Sequence, residues 1–262
     1  MSLRPSDIPA VQTHSPAPSR GRFEWLVSVR DTDEAARALR FGVDIVDLKE
    51  PGEGSLGAVK LHIMEEVARR FSQSTPLAAS PAPRLSVAMG EIENAAEVAS
   101  QVPLGFHFAK AGPAHCQSPA RLVELWQDLR QRLPEPTELV AVAYADHETA
   151  QSLPVSEIIR SAAKAGIRRL LLDTFAKSAG SSVHQLGLEK LKDIGRSASE
   201  HRLWWSLAGS IRLPEIAPLL RDWPKSDGRP DCLAIRGDAC QGTRTGTLCE
   251  ERLERWREFR RH

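Results

Sequence analysis

Glu24-Trp25-Leu26-Val27-Ser28-Val29-Arg30-Asp31-Thr32 is the first apolar, strand-like run of the chain, and its closing residues separate two folds. A doubly wound dinucleotide-binding sheet would place a Gly-x-Gly-x-x-Gly turn directly after this strand. Here Ser28-Val29-Arg30-Asp31-Thr32 carries no glycine. Further strand-like runs lie at 43–48, 84–89, 105–110, 138–143, 168–173, 203–208 and 231–235. Helical patterns alternate with them near 32–41, 60–72, 91–101, 119–132, 154–165, 187–199, 213–221 and 245–260. Asp31-Thr32-Asp33-Glu34 reads as a helix start, and Gly42 and Gly166 as helix stops. Eight β-then-α units without an evident linker predict an α/β fold, a single-domain (β/α)8 TIM barrel over residues 23–262.

Size and composition agree. A chain of 262 residues with 41% hydrophobic and 26% charged side chains can bury a full core. The net charge of +1, from 35 basic and 34 acidic residues, leaves no large electrostatic footprint. No nucleic-acid or membrane partner is therefore expected, although a local positive pocket for a phosphorylated metabolite is compatible. Cys116, Cys232, Cys240 and Cys249 form no C-x-x-C pair and no zinc-like spacing, so reduced thiols, no metal site and a cytoplasmic location are expected. Residues 1–22, rich in Pro and Ser and without an apolar core, read as a disordered tail and not a secretory signal. The homo-oligomeric state stays open.

In such a barrel chemistry collects where strands end. The second strand ends in Asp47-Leu48-Lys49, whose carboxylate and amine share one face. Lys110-Ala111-Gly112 ends the fourth, Tyr144-Ala145-Asp146-His147 follows the fifth, and Asp173-Thr174 with Lys177 ends the sixth. Three lysines and two or more carboxylates would converge on one mouth. Crowded cations lower one another's pKa, which frees an amine to attack a carbonyl, and the carboxylates can move protons. The competing reading makes each lysine an ordinary ion-pair partner. Gly209-Ser210 and Arg236-Gly237, after strands seven and eight, fall where barrel enzymes bind phosphate, though glycines there also make plain turns. His107, placed inside the fourth strand, reads as a packed, hydrogen-bonded histidine. Trp204-Trp205 read as packing between barrel and helices, and Cys240 lacks an evident base.

These residues together resemble the (5-formylfuran-3-yl)methyl phosphate synthase family, also called 4-(hydroxymethyl)-2-furancarboxaldehyde-phosphate synthases. The most specific match is Val46-Asp47-Leu48-Lys49-Glu50-Pro51 followed by Glu53-Gly54-Ser55-Leu56-Gly57-Ala58. Lys110-Ala111-Gly112, Tyr144-Ala145-Asp146, Leu172-Asp173-Thr174 with Lys177, Ala208-Gly209-Ser210 and Ile235-Arg236-Gly237 with Cys240 and Gly242 support it, in family order. The resemblance implies a TIM barrel that joins two glyceraldehyde 3-phosphate molecules into a phosphorylated furan aldehyde, losing one phosphate and water, for methanofuran-type C1 carriers. It implies no cofactor. Lys49 would form the Schiff base and Lys110 would accept the proton. Asp47, Asp173 and Lys177 would assist, and the Gly209, Ser210, Arg236 and Gly237 loops would hold phosphate. The chain departs from the family pattern at Glu50, at Phe175 and around 89–104. A class I aldolase or other phosphosugar lyase, or a non-catalytic phosphometabolite-binding protein, would fit the same mouth; the Asp-x-Lys pair also resembles orotidine-phosphate-type decarboxylases.

Overall fold

The computed structural model describes residues 23–71 and 83–261. The expected tail, 1–22, lies outside them. Eight strands alternate with eight helices: β1 (Glu24–Val29), α1 (Thr32–Arg40), β2 (Ile45–Leu48), α2 (Leu61–Phe71), β3 (Arg84–Glu91), α3 (Ala95–Gln101), β4 (Phe108–Gly112) and α4 (Pro119–Arg132). They continue as β5 (Glu138–Tyr144), α5 (Val155–Lys164), β6 (Arg169–Asp173), α6 (Ser182–Glu200), β7 (Trp204–Leu207), α7 (Leu213–Arg221), β8 (Cys232–Ile235) and α8 (Glu250–Arg261). Every strand pairs in parallel with its neighbour, and β8 returns to β1, so the sheet closes as a TIM barrel.

The period-two alternation of each strand divides the core in two. Trp25, Val27, Val46, Leu48 and Leu170 belong to the layer between barrel and helices. Leu26, Ile45, Phe108, Val140, Val142, Leu171 and Ala234 belong to a separate cluster that fills the barrel. Below it the Arg169 guanidinium lies between the rings of Phe108 and Trp204, 4.3 and 4.6 Å from their centroids. Trp205, in contrast, faces the helices, donating from Nε1 to the Gly228 carbonyl at 3.1 Å. The adjacent tryptophans thus serve opposite faces, where the sequence suggested one shared packing role.

Capping behaves as the residue types dictate. Asp31 accepts the Glu34 amide at 2.8 Å and starts α1, and Gly42 leaves the helix at φ 76°. Several boundaries differ from expectation, three of them with a clear local cause. β4 begins at Phe108, because Gly105 holds a φ of 103° and His107 is spent as an exposed lead-in whose Nδ1 accepts the Leu85 amide at 3.2 Å. α6 begins earlier, at Ser182, because the Ser181 hydroxyl accepts the His184 amide at 3.0 Å; Gly187, at φ 72°, then breaks the helix where the sequence placed its start. α8 begins later, at Glu250, because residues 240–248 fold back on themselves. Cys240 and Leu248 pair antiparallel, and Gln241 donates to Thr247 at 2.9 Å.

Candidate active site

β2 and β4 bring the first lysine–carboxylate pair together inside the barrel. The Lys49 amide donates to the Val29 carbonyl at 2.9 Å, so the chain keeps its strand register one residue past β2. Asp47 and Lys49 therefore face the same way. Asp47 is 1% exposed; it accepts from Ser28 Oγ at 2.9 Å and forms an ion pair with Lys110 Nζ. Lys110 also donates to Ser86 Oγ at 3.0 Å. Because β4 is shifted, Lys110 stands in mid-strand and reaches the cleft from inside the barrel wall, not from a strand end. Burial pushes its amine down, the Asp47 carboxylate pulls it back up, and the nearby Lys49 charge pushes it down again.

The second cluster centres on Asp173 at the end of β6. Its Oδ1 accepts the Thr174 amide at 2.8 Å and Lys177 Nζ at 2.6 Å; its Oδ2 lies 3.7 Å from Lys49 Nζ and 3.5 Å from Ser55 Oγ. Burial works to raise this carboxyl, but the Lys177 and Lys49 ammonium groups hold it well below the usual carboxylate range. Its stabilising contribution is complete above the ordinary value of 3.8 and fades as the pH falls below that. Lys177 moves the other way: burial takes it down to about 8, the Asp173 charge opposes this, and Lys49 adds to it. Its folded value lies below its unfolded one, so its unfavourable contribution is full below pH 8 and is relieved as the pH climbs toward 10.5.

These side chains line one cleft of about 740 Å³, together with Gly209, Ser210, Arg236 and Gly237. Gly209 and Ser210 both hold positive φ, 85° and 55°, a strained conformation for a serine. Asp238 Oδ2 accepts the Leu213 amide at 3.0 Å and Trp256 Nε1 at 2.8 Å, so a carboxylate already caps the start of α7.

The Arg236 side chain does not serve as the sequence suggested. Its guanidinium donates to Glu34 Oε2 at 2.8 Å and to the Ser28, Arg244 and Gly246 carbonyls at 2.9, 2.7 and 3.1 Å. Glu34 arrives from α1, 202 positions away, which no local pattern reveals. The donors that would meet a phosphate are thus consumed. Arg236→Met is expected to remove about 3 kcal/mol of stability, since Glu34 is left buried with the Arg30 amide at 2.9 Å and only the weaker Arg30 guanidinium contact, at 3.3 Å, to balance its charge. Chemical denaturation with an unchanged m-value checks this.

Other residues reach the site or its supports, and two of them, Ser28 and Ser86, had no motif to mark them. Ser28 and Ser86 are inward-facing hydroxyls inside apolar strands, and their period-two spacing from Leu26 and Ala88 was the available signal. Ser55 donates to the Thr174 carbonyl at 2.8 Å, tying the β2 loop to the β6 loop. Asp146 stays out of the cleft and accepts the Phe175 and Ala176 amides at 2.7 Å each, which fixes the loop carrying Lys177. Phe175 packs against Tyr144, ring centroids 5.4 Å apart. The Tyr144 hydroxyl donates to Glu91 at 2.8 Å; burial raises both groups, Tyr144 well above its ordinary value. Glu50 caps the turn after β2 by accepting the Gly52 amide at 2.8 Å.

A closed barrel with one Lys–Asp pair inside it and a second cluster at the end of β6 can be compared with known proteins. The (5-formylfuran-3-yl)methyl phosphate synthase of Methanosarcina barkeri is 29% identical over 241 residues, covering 89% of this chain and 97% of its own. The enzyme of that name from Methanopyrus kandleri is 31% identical over 227 residues, covering 84% and 90%. Phosphoribosylanthranilate isomerase from Thermotoga maritima matches at a TM-score of 0.54 and 13% identity, over 91% of this chain and 98% of that one, a likeness of fold alone. The 4-HFC-P synthase profile matches residues 25–257, from β1 into α8, and the chain belongs to that family.

Proposed function

We propose that the protein condenses two glyceraldehyde 3-phosphate molecules into (5-formylfuran-3-yl)methyl phosphate through a Schiff base on Lys49, in the cytoplasm and for a methanofuran-type C1 carrier. The observation that carries this reading is the unequal setting of the two lysines. Lys49 is 13% exposed beside the cleft and only loosely paired, 3.7 Å from Asp173, whereas Lys110 is 3% exposed and pinned between Asp47 and Ser86. A nucleophile must reach substrate carbon; a proton acceptor needs a fixed position beneath it.

In this scheme the neutral Lys49 amine attacks the carbonyl of one triose phosphate. A C–N bond forms, the carbonyl oxygen takes a proton and leaves as water, and an iminium remains. The iminium draws electrons from the adjacent C–H, and Lys110 accepts the released proton, its charge balanced by Asp47. The resulting enamine carbon attacks the aldehyde of the second triose. Loss of phosphate, ring closure, further loss of water and hydrolysis from Lys49 complete a sequence that needs no oxidant or reductant.

Incubation with glyceraldehyde 3-phosphate is expected to give one inorganic phosphate per furan aldehyde. Carbon–carbon condensation without phosphate release would instead assign an aldolase. The pH profile offers a second check. Above pH 8 Lys177 loses its charge and can no longer help balance Asp173 and a substrate phosphate, so the rate is expected to fall through that pH. Lys177→Arg keeps the charge and should shift the fall upward; an unmoved limb would remove Lys177 from this role.

A further inference from the structure

The loop after β8 carries a guanidinium that the condensation chemistry leaves without a task. Arg244 projects from the 240–248 turn, and Arg236 fixes that turn from beneath through the Arg244 and Gly246 carbonyls. On one edge, Arg244 Nη2 donates to the Pro51 carbonyl and, at 2.6 Å, to the Gly54 carbonyl of the loop that follows Lys49. Among the described residues no carboxylate lies within ion-pairing distance of it. Yet it is half-buried, lines the same cleft as Lys49 and Lys177, and is close enough for its charge to be felt at Lys177. The lysines of the cleft have Asp47 and Asp173 as partners; among the described residues Arg244 bonds only to backbone oxygens. A half-buried cation that feels Asp173 and Glu50 only at a distance, and whose Nε and Nη1 bond to none of the described residues, suits a dianion that forks onto it.

We propose that Arg244 binds one of the two substrate phosphates, in a subsite distinct from the Gly209–Ser210 and Gly237 loops. The inference rests on the condensation reading, in which two phosphorylated molecules occupy the cleft together and need two anion sites. The carbonyls of Pro51 and Gly54 hold one edge of the guanidinium so that the other meets phosphate. The same contacts tie the occupied subsite to the segment bearing Lys49, so substrate recognition and the nucleophile share one support.

The test compares the full-length protein with Arg244→Gln and Arg244→Lys. Borohydride trapping rates are measured with glyceraldehyde 3-phosphate and with unphosphorylated glyceraldehyde, and glycerol 3-phosphate binding by calorimetry. Losing a charge-assisted contact should cut the preference for the phosphorylated aldehyde roughly 10- to 100-fold in Arg244→Gln and weaken glycerol 3-phosphate binding by a similar factor, with partial recovery in Arg244→Lys. If both aldehydes slow equally and glycerol 3-phosphate binds as before, Arg244 merely props the loop and the subsite is refuted. If the unsubstituted protein forms neither adduct nor furan, the condensation reading fails instead, and glycerol 3-phosphate binding still decides the subsite.

Discussion

Lys49→Arg is expected to lower furan aldehyde formation by at least about 10⁴-fold and to abolish borohydride-trapped adducts. Arginine keeps a cation beside Asp173, and the Ser55–Thr174 hydrogen bond that ties the β2 and β6 loops is untouched, so the melting temperature should hold nearly constant. The guanidinium stays protonated and cannot add to a carbonyl at working pH. Fold and charge are retained while nucleophilicity is removed. Turnover within tenfold of the unsubstituted protein, measured by phosphate release, would show that Lys49 is an ion-pair partner only.

The second large effect concerns stability and chemistry together. Lys110→Met leaves Asp47 charged in a fully buried position, with Ser28 as its remaining partner. Breaking such a pair from one side costs about 3–5 kcal/mol, a fall in melting temperature on the order of 10 °C for a domain of this size. Loss of the proton acceptor should independently cut the rate by roughly 10²- to 10⁴-fold. The double variant Asp47→Asn with Lys110→Met separates the two. Most of the stability should return, because neither buried charge is left uncompensated, while activity stays lost. Strictly additive losses of stability would contradict the paired arrangement.

The architecture was legible because eight β–α units repeat with clean hydrophobic periods, and most boundaries fell within a few residues. The exceptions have local causes. Residues 245–249 continue the apolar pattern of α8, yet Thr243, Gly246 and Thr247 close a backbone turn there, and Gly246 packs too closely on Gln241 to admit a side chain. That misreading also hid Arg244, since a residue near a helix start offers no hint that it returns across the mouth to Pro51. Strand-end reasoning gathered Lys49, Asp173 and Lys177 because they do lie at strand ends. Lys110 was found by the same reasoning but placed too high, since its strand begins three residues later than its apolar run. Arg236 was misassigned for a different reason. Its position in the barrel suits phosphate, but its partner Glu34 comes from the far end of the sequence, and burial of that pair depends on closure of β8 onto β1. The Ser28 and Ser86 hydroxyls escaped notice because serine is common and only the folded geometry aims them at Asp47 and Lys110.

The division of labour between the two lysines is the centre of the account, and adduct mapping tests it directly. The protein is incubated with glyceraldehyde 3-phosphate, reduced with borohydride, digested and sequenced by mass spectrometry. A reduced triose adduct on Lys49, with Lys110 unmodified, is the expected result. An adduct on Lys110 with Lys49 untouched would reverse the assignment, and the absence of any adduct during active furan formation would exclude the Schiff base altogether.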